Sequence, residues 1–222
     1  MMTKAGGHSR RSYAEGCLAA HALDLIGDRW ALLVVRELLL GPRRFSALRA
    51  GLPGISANIL TQRLEDLGHL GLLRREVLPP PAAVQVYALT DAGAALWPVI
   101  RALCQWAAGR PGHDPRQFIS PVSLMLSMQA MIQPADLPPL TAMFTMAEDQ
   151  FTARLDHGYV VRAGATPEAD LAFVGAPNAL AQVIYGPLAL PQACAEAGVT
   201  FAGDPALGQR FVDLFNLRRA AD

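Results

Sequence analysis

The stretch SANILTQRLEDLGHLGLLRREVLPPPAAVQVYALT, from Ser56 to Thr90, constrains the fold more than any other part of the chain. Leu60, Leu64 and Leu67 recur at i, i+4 and i+7, which gives a helix one apolar stripe, and Ser56 stands where an N-cap is needed. Gly68 and Gly71 weaken the end of that helix. Two Val- and Leu-containing runs then flank Pro79-Pro80-Pro81. They predict a hairpin whose tip is too rich in proline for a central strand.

Upstream, the same periodicity predicts three more helices. Leu18, Ala22, Leu25 and Ile26 fall on one face, closed by Gly27, with Asp28 as N-cap of the next helix. Trp30, Leu33, Val34 and Leu38 line the second helix, which stops at Gly41-Pro42. Phe45, Leu48 and Leu52 mark a short third helix, closed by Leu52-Pro53-Gly54. Downstream of the hairpin, Thr90 caps a fifth helix, 90–108, with a stripe of Leu96, Ile100, Leu103 and Trp106. Helices followed by a hairpin give the winged helix-turn-helix order. A helix that enters the major groove needs short polar side chains on its outer face. Ser56, Asn58, Thr61 and Gln62 point away from the leucine stripe; Asn and Gln match the paired donor and acceptor of an adenine edge. Arg43 and Arg44, just before the third helix, are placed to neutralise phosphate.

Cys17, ALDLIGDRW (22–30), LLVVRELLLGPRRFSALRAGLPGISANILTQRLEDLGHLGLLRRE (32–76) and YALTDAG (87–93) together resemble the HxlR family of winged-helix regulators, over residues 12–108. The resemblance implies a homodimer on double-stranded operator DNA, with recognition helix 56–68, wing 74–89, and a dimer interface from the first and fifth helices. The DNA-contacting set it implies is Arg43, Arg44, Ser56, Ala57, Asn58, Thr61, Gln62, Arg63 and Arg75. Simpler roles stand beside these. Ser56 and Thr61 serve equally as cap or surface residues, and Arg63 has Glu65 and Asp66 within reach. Asp24, Arg29, Arg36 and Glu37 suit an ion network inside the domain, and Trp30 suits the core. The wing tip carries no cation, so a minor-groove arginine is not expected there.

GRPGHDPRQ (109–117) has no apolar period and reads as a linker. Beyond it, residues 119–132 predict a Met-rich helix. Strands are expected at 141–147, 150–156, 159–163 and 171–174, helices near 177–185 and 190–197, a strand near 199–202, and a last helix bearing Leu207, Phe211, Leu214 and Phe215. The whole is α+β: a winged helix-turn-helix domain followed by a small α+β domain, 118–222, with an antiparallel sheet. Residues 167–215 resemble the sterol-carrier-type lipid-binding fold, which implies an apolar cavity between sheet and helices. Met128, Met143, Phe144, Phe173 and Tyr185 are its candidate effector-binding residues, although each methionine also suits a plain core.

Charge is unevenly spread. Residues 1–110 carry a net +5 and residues 111–222 a net −5, so only the first half favours a polyanion. Residues 1–11 read as a disordered tail whose Arg10 and Arg11 are solvated. No run of about 18 apolar residues occurs and no apolar core follows the basic start, so neither a membrane span nor a signal peptide is expected, and a cytoplasmic location follows. Cys17, Cys104 and Cys194 are widely spaced, which excludes a CxxC metal or disulfide framework. No nucleophile elbow, phosphate loop or HExxH motif is present, so no catalytic residue, metal or cofactor is expected. Three functional classes remain open. The chain is a regulator sensing an apolar small molecule, a regulator whose second half is a structural or dimerisation module, or a thiol sensor acting through Cys17. The apolar helix face that Cys17 opens predicts a buried structural thiol.

Overall fold

The structure, a computed structural model, describes residues 12–80, 83–133, 137–215 and 217. The expected tail at 1–11 and the middle of the wing tip, Pro81-Ala82, lie outside these residues. The N-terminal half comprises α1 (Leu18–Ile26), α2 (Ala31–Leu38), α3 (Phe45–Ala50), α4 (Ala57–His69), the antiparallel pair β1 (Leu73–Val77) and β2 (Gln85–Leu89), α5 (Asp91–Ala94) and α6 (Trp97–Ala108). Val34, Val35 and Leu38 of α2, Leu48 of α3 and the Leu60, Leu64 and Leu67 stripe of α4 close one core, completed by Leu73, Tyr87 and Ile100. Arg43 pairs its backbone with Tyr87, which adds a bridge to the wing and ties the α2–α3 turn to it.

The single fifth helix expected over 90–108 is two helices. Thr90 does cap, its hydroxyl accepting from the Gly93 N–H, but that helix ends at Ala94. Pro98 then sits in the first turn of α6, where a residue without an N–H is tolerated and inside a continuous helix would not be.

The C-terminal half runs α7 (Pro121–Met131), β3 (Leu140–Met146), β4 (Asp149–Leu155), β5 (Tyr159–Ala163), β6 (Leu171–Val174), α8 (Pro177–Tyr185), α9 (Leu190–Ala197), β7 (Thr200–Gly203) and α10 (Pro205–Val212). The strand order is β5-β4-β3-β6-β7. The sheet is not all antiparallel, as expected, but mixed: β6 runs parallel to β3, with Phe144 beside Phe173. The connection 164–170 recrosses β4 and β3 without a helix. It is pinned where Asp170 exchanges hydrogen bonds with Thr141. The parallel partners β3 and β6 are joined by a long crossover that contains β4 and β5, as such a pair requires, and its last part, 164–170, has no apolar period to announce it.

The two halves pack through α6 and α2 against α7. Gln105 of α6 donates to the Ala130 carbonyl at 3.0 Å. Trp97 is shared, packing against both cores.

Candidate DNA-binding face and its junction with the C-terminal half

The α4 helix begins as its sequence requires: the Ser56 hydroxyl accepts from the Ile59 N–H at 3.2 Å. Its leucines are buried, so Asn58, Thr61 and Gln62 are exposed on the other side, with Ala57 half-buried at the start. Gln62 donates to Asp66 at 3.0 Å, one turn on, which holds its amide along the helix. The far end of α4 meets the wing. A shallow groove of about 490 Å³ is lined by Glu65, His69, Arg74 and Arg75, so α4 and the β1–β2 hairpin form one surface. Arg75 is exposed and lies over the Tyr87 ring at 5.6 Å, while Arg74 is engaged with Glu76 and the Leu89 carbonyl.

The arginines expected on phosphate divide. Arg44 is exposed, and among the described residues it has no ion-pair partner. Arg63 is turned inward. It bridges Asp66 at 3.0 Å and Asp28 at 3.4 Å, fastening α4 to the α1–α2 junction. Arg43 is only 14% exposed and its two terminal guanidinium nitrogens are committed, Nη2 to Asp149 at 2.5 Å and Nη1 to Glu37 at 3.6 Å. Its cation neutralises carboxylates inside the protein, so the phosphate contact expected of it gives way to a structural one.

Glu37 is the centre of that arrangement. It is fully buried, and its Oε1 accepts from Arg36 Nη2 at 2.7 Å and from the Ser120 hydroxyl at 2.7 Å. Its Oε2 has the Arg43 ion pair but no hydrogen bond. A Cβ at position 51 would stand 2.4 Å from that oxygen, so only glycine leaves room for the carboxylate. Arg36, Glu37, Arg43 and Asp149 make a charge-balanced quartet. Ser120 and Asp149 belong to the C-terminal half, and the junction is therefore built from both. Of the network expected around Glu37, Arg36 is present; Asp24 instead holds Ser12 and the Tyr13 N–H, and Arg29 covers the Trp30 ring.

Cys17 is not a buried thiol. It is exposed at the N-cap of α1, and the N–H groups of Ala20 and Ala19 hold its pKa below the usual thiol value. Burial pushes Cys104 and Cys194 up.

The residues expected to bind an effector do not surround a common space. Met128, Phe144 and Phe173 are fully buried in the C-terminal core, and the Phe144 and Phe173 rings stack at 5.0 Å. Phe211 packs against both, filling the space between sheet and helices. Met143 lies on the opposite face of β3. The Tyr185 hydroxyl is paired with Ser127 at 2.8 Å. Among the described residues, no group of three or more His, Cys, Asp or Glu is placed to hold a metal, and no helix is long and apolar enough to cross a membrane.

The model of the HxlR-like helix-turn-helix family matches residues 25–113, from the end of α1 past α6. The uncharacterized HTH-type transcriptional regulator YvaP of Bacillus subtilis (strain 168) is 40% identical over 86 residues, 39% of this chain and 80% of YvaP. The chain belongs to the HxlR-like helix-turn-helix family. A second relative, the HTH-type transcriptional regulator YodB of the same organism, is 36% identical over 86 residues, 39% of this chain and 77% of YodB. The reduced form of YodB is similar at 33% identity over 45% of this chain and 100% of that chain, with a TM-score of 0.40; quinone-bound YodB is similar at 32% over 40% and 94%, with a TM-score of 0.36. Membership makes this chain a transcriptional regulator, and its helix-turn-helix a DNA-binding element. The HxlR match ends at residue 113, before α7.

Proposed function

We propose that the protein binds operator DNA sequence-specifically as a homodimer, reading bases with Asn58, Thr61 and Gln62. The observation that carries this is the outer face of α4. Three short polar side chains are exposed there, beside a wing that shares one groove with the helix. Ser56 and Ala57 lie at the start of the same face, and Arg44 and Arg75 supply exposed cations for phosphate. Dimerisation falls to α1 and α6. Leu18 is 85% and Trp106 65% exposed, with Leu23 and Leu103 also open, an apolar surface that calls for cover. A two-fold protein selects a pseudo-palindrome with half-sites about one helical turn apart. Selection from random duplexes tests this: an enriched inverted repeat is expected, and no enrichment refutes it.

In the same reading, 12–108 is the DNA-binding domain, 109–117 the connection and 118–222 a sterol-carrier-like domain that senses an apolar small molecule. The succession β6, α8, α9, β7, α10 supports the comparison. The closed aromatic core argues that a ligand does not sit among Met128, Phe144, Phe173 and Tyr185, nor on Met143 behind the sheet. A ligand acts only through its preference between DNA-competent and incompetent states. A coupling of about 1–3 kcal/mol changes operator affinity roughly 5- to 150-fold. If no ligand alters DNA binding, 118–222 is a structural module.

One observation favours a second reading, a thiol sensor. Cys17 is exposed, its pKa is lowered, and it opens the helix proposed for the dimer interface. One structure of the relative YodB is quinone-bound. Release of wild-type protein but not Cys17→Ser from operator by diamide supports this reading; equal behaviour removes it.

A further inference from the structure

Where α6 meets the C-terminal half there is a cavity of about 610 Å³, within the range of small-molecule sites. Its apolar walls include Trp97, Leu137, Leu155 and Leu214, drawn from α6, the approach to β3, the end of β4 and the turn after α10. Six polar side chains also line it, of which Gln133 is engaged with the Met131 carbonyl. Arg101 is exposed, and among the described residues it makes no ion pair. Gln129 makes no side-chain hydrogen bond among them either. Tyr159 carries a buried hydroxyl without a partner. Asp156 is the carboxylate at this cavity, half-exposed on the β4–β5 turn, with His157 at 3.6 Å.

We infer that this cavity binds a small apolar carboxylic acid as its anion. A guanidinium without an ion-pair partner among the described residues, at the rim of apolar walls, selects a carboxylate, because its N–H fork matches both oxygens. The flat indole of Trp97 takes an apolar ring or chain. Gln129 supplies a further donor. A cationic ligand would meet Arg101, and a wholly apolar one would leave these polar groups unanswered.

The site also explains how a bound molecule would reach the DNA-binding half. Trp97 packs against both cores and opens α6, which carries Leu103 and Trp106. An occupant that presses on Trp97 shifts α6 against α7. This consequence rests on the proposed effector control; the binding itself does not.

Calorimetry of the full chain with 2-naphthoate and its neutral isostere 2-naphthamide tests the inference. The acid is expected to bind at least tenfold more tightly than the amide. Arg101→Gln should abolish that preference with little change in the unfolding midpoint, since among the described residues Arg101 makes no ion pair or side-chain hydrogen bond. Leu137→Trp should weaken acid and amide alike by filling the cavity. If the acid does not bind up to millimolar concentration, or if Arg101→Gln retains the preference, the inference is wrong, and control by a ligand elsewhere stands untouched. If the acid binds through Arg101 yet leaves the affinity for the selected duplex unchanged, the site is real and effector control through it fails.

Discussion

Arg43 Nη2 donates to Asp149 Oδ1 at 2.5 Å, joining the turn before α3 to the first residue of β4 across 106 positions of sequence. The same guanidinium faces the buried Glu37, so removing either carboxylate leaves a cation short of charge. Asp149 is about one-third exposed. Asp149→Ala is therefore expected to cost about 1–3 kcal/mol, below the roughly 3–5 kcal/mol of breaking a fully buried pair. Glu37→Ala should reach that upper range. Urea unfolding of both variants measures the difference, and equal midpoints to wild type would show that the quartet is idle.

On DNA the neighbouring arginines are expected to part company. Arg44→Ala should weaken binding to every duplex and lower the salt dependence by about one counterion. Asp149→Ala, which frees Arg43, should not weaken it. Asn58→Ala or Gln62→Ala should instead cost about 1–3 kcal/mol at particular base pairs and little elsewhere. Binding titrations at several salt concentrations separate the two classes.

The three thiols are expected to react in a fixed order. Backbone N–H groups stabilise the Cys17 thiolate, so it forms at lower pH than a free thiol's, whereas burial holds Cys104 and Cys194 protonated. Timed iodoacetamide labelling at neutral pH, read by peptide mass, should find Cys17 modified first. Faster labelling of either other cysteine in folded protein contradicts the local geometry.

Tyr159 predicts an alkaline limit. Burial raises its pKa well above the ordinary value. The unfolded chain then loses that proton first as pH rises, so stability is full below about pH 10 and falls above it, by about 1.4 kcal/mol per pH unit until the folded-state pKa is reached. Tyr159→Phe should flatten this contribution to the alkaline slope. It should also cost little at pH 7, because the hydroxyl it removes has no partner. Urea midpoints across pH 8–11.5 decide both points.

Much of this was legible in the sequence because local chemistry governs it. The Ser56 cap, the leucine stripe of α4 and the boundaries of α8 and α9 follow from periodicity and capping, which act within a few residues. The break at Ala95-Leu96 was also local, written in Pro98, but an apolar stripe that runs through it masks it. What could not be read depends on distant partners. Arg43 beside Arg44 looks like a phosphate clamp until Asp149 arrives from the other half. Phe144 and Phe173 look like cavity lining until they stack on each other and Phe211 packs against both. The parallel β3–β6 pair is set by the path of 164–170, which has no periodicity of its own.

Glu37 also fixes an order of events during synthesis. Its carboxylate is enclosed above Gly51 by residues made early, yet Ser120 lies 83 positions later and Asp149, which holds Arg43, comes later still. As the chain leaves the ribosome, the helices that read DNA emerge well before the groups that complete their charge balance. Until Ser120 and the first hairpin of the next sheet are made, Glu37 and Arg43 lack those partners. A chain cut short after α6 would keep Glu37 and Arg43 but lose the Ser120 hydrogen bond and the Asp149 ion pair that complete their charge balance.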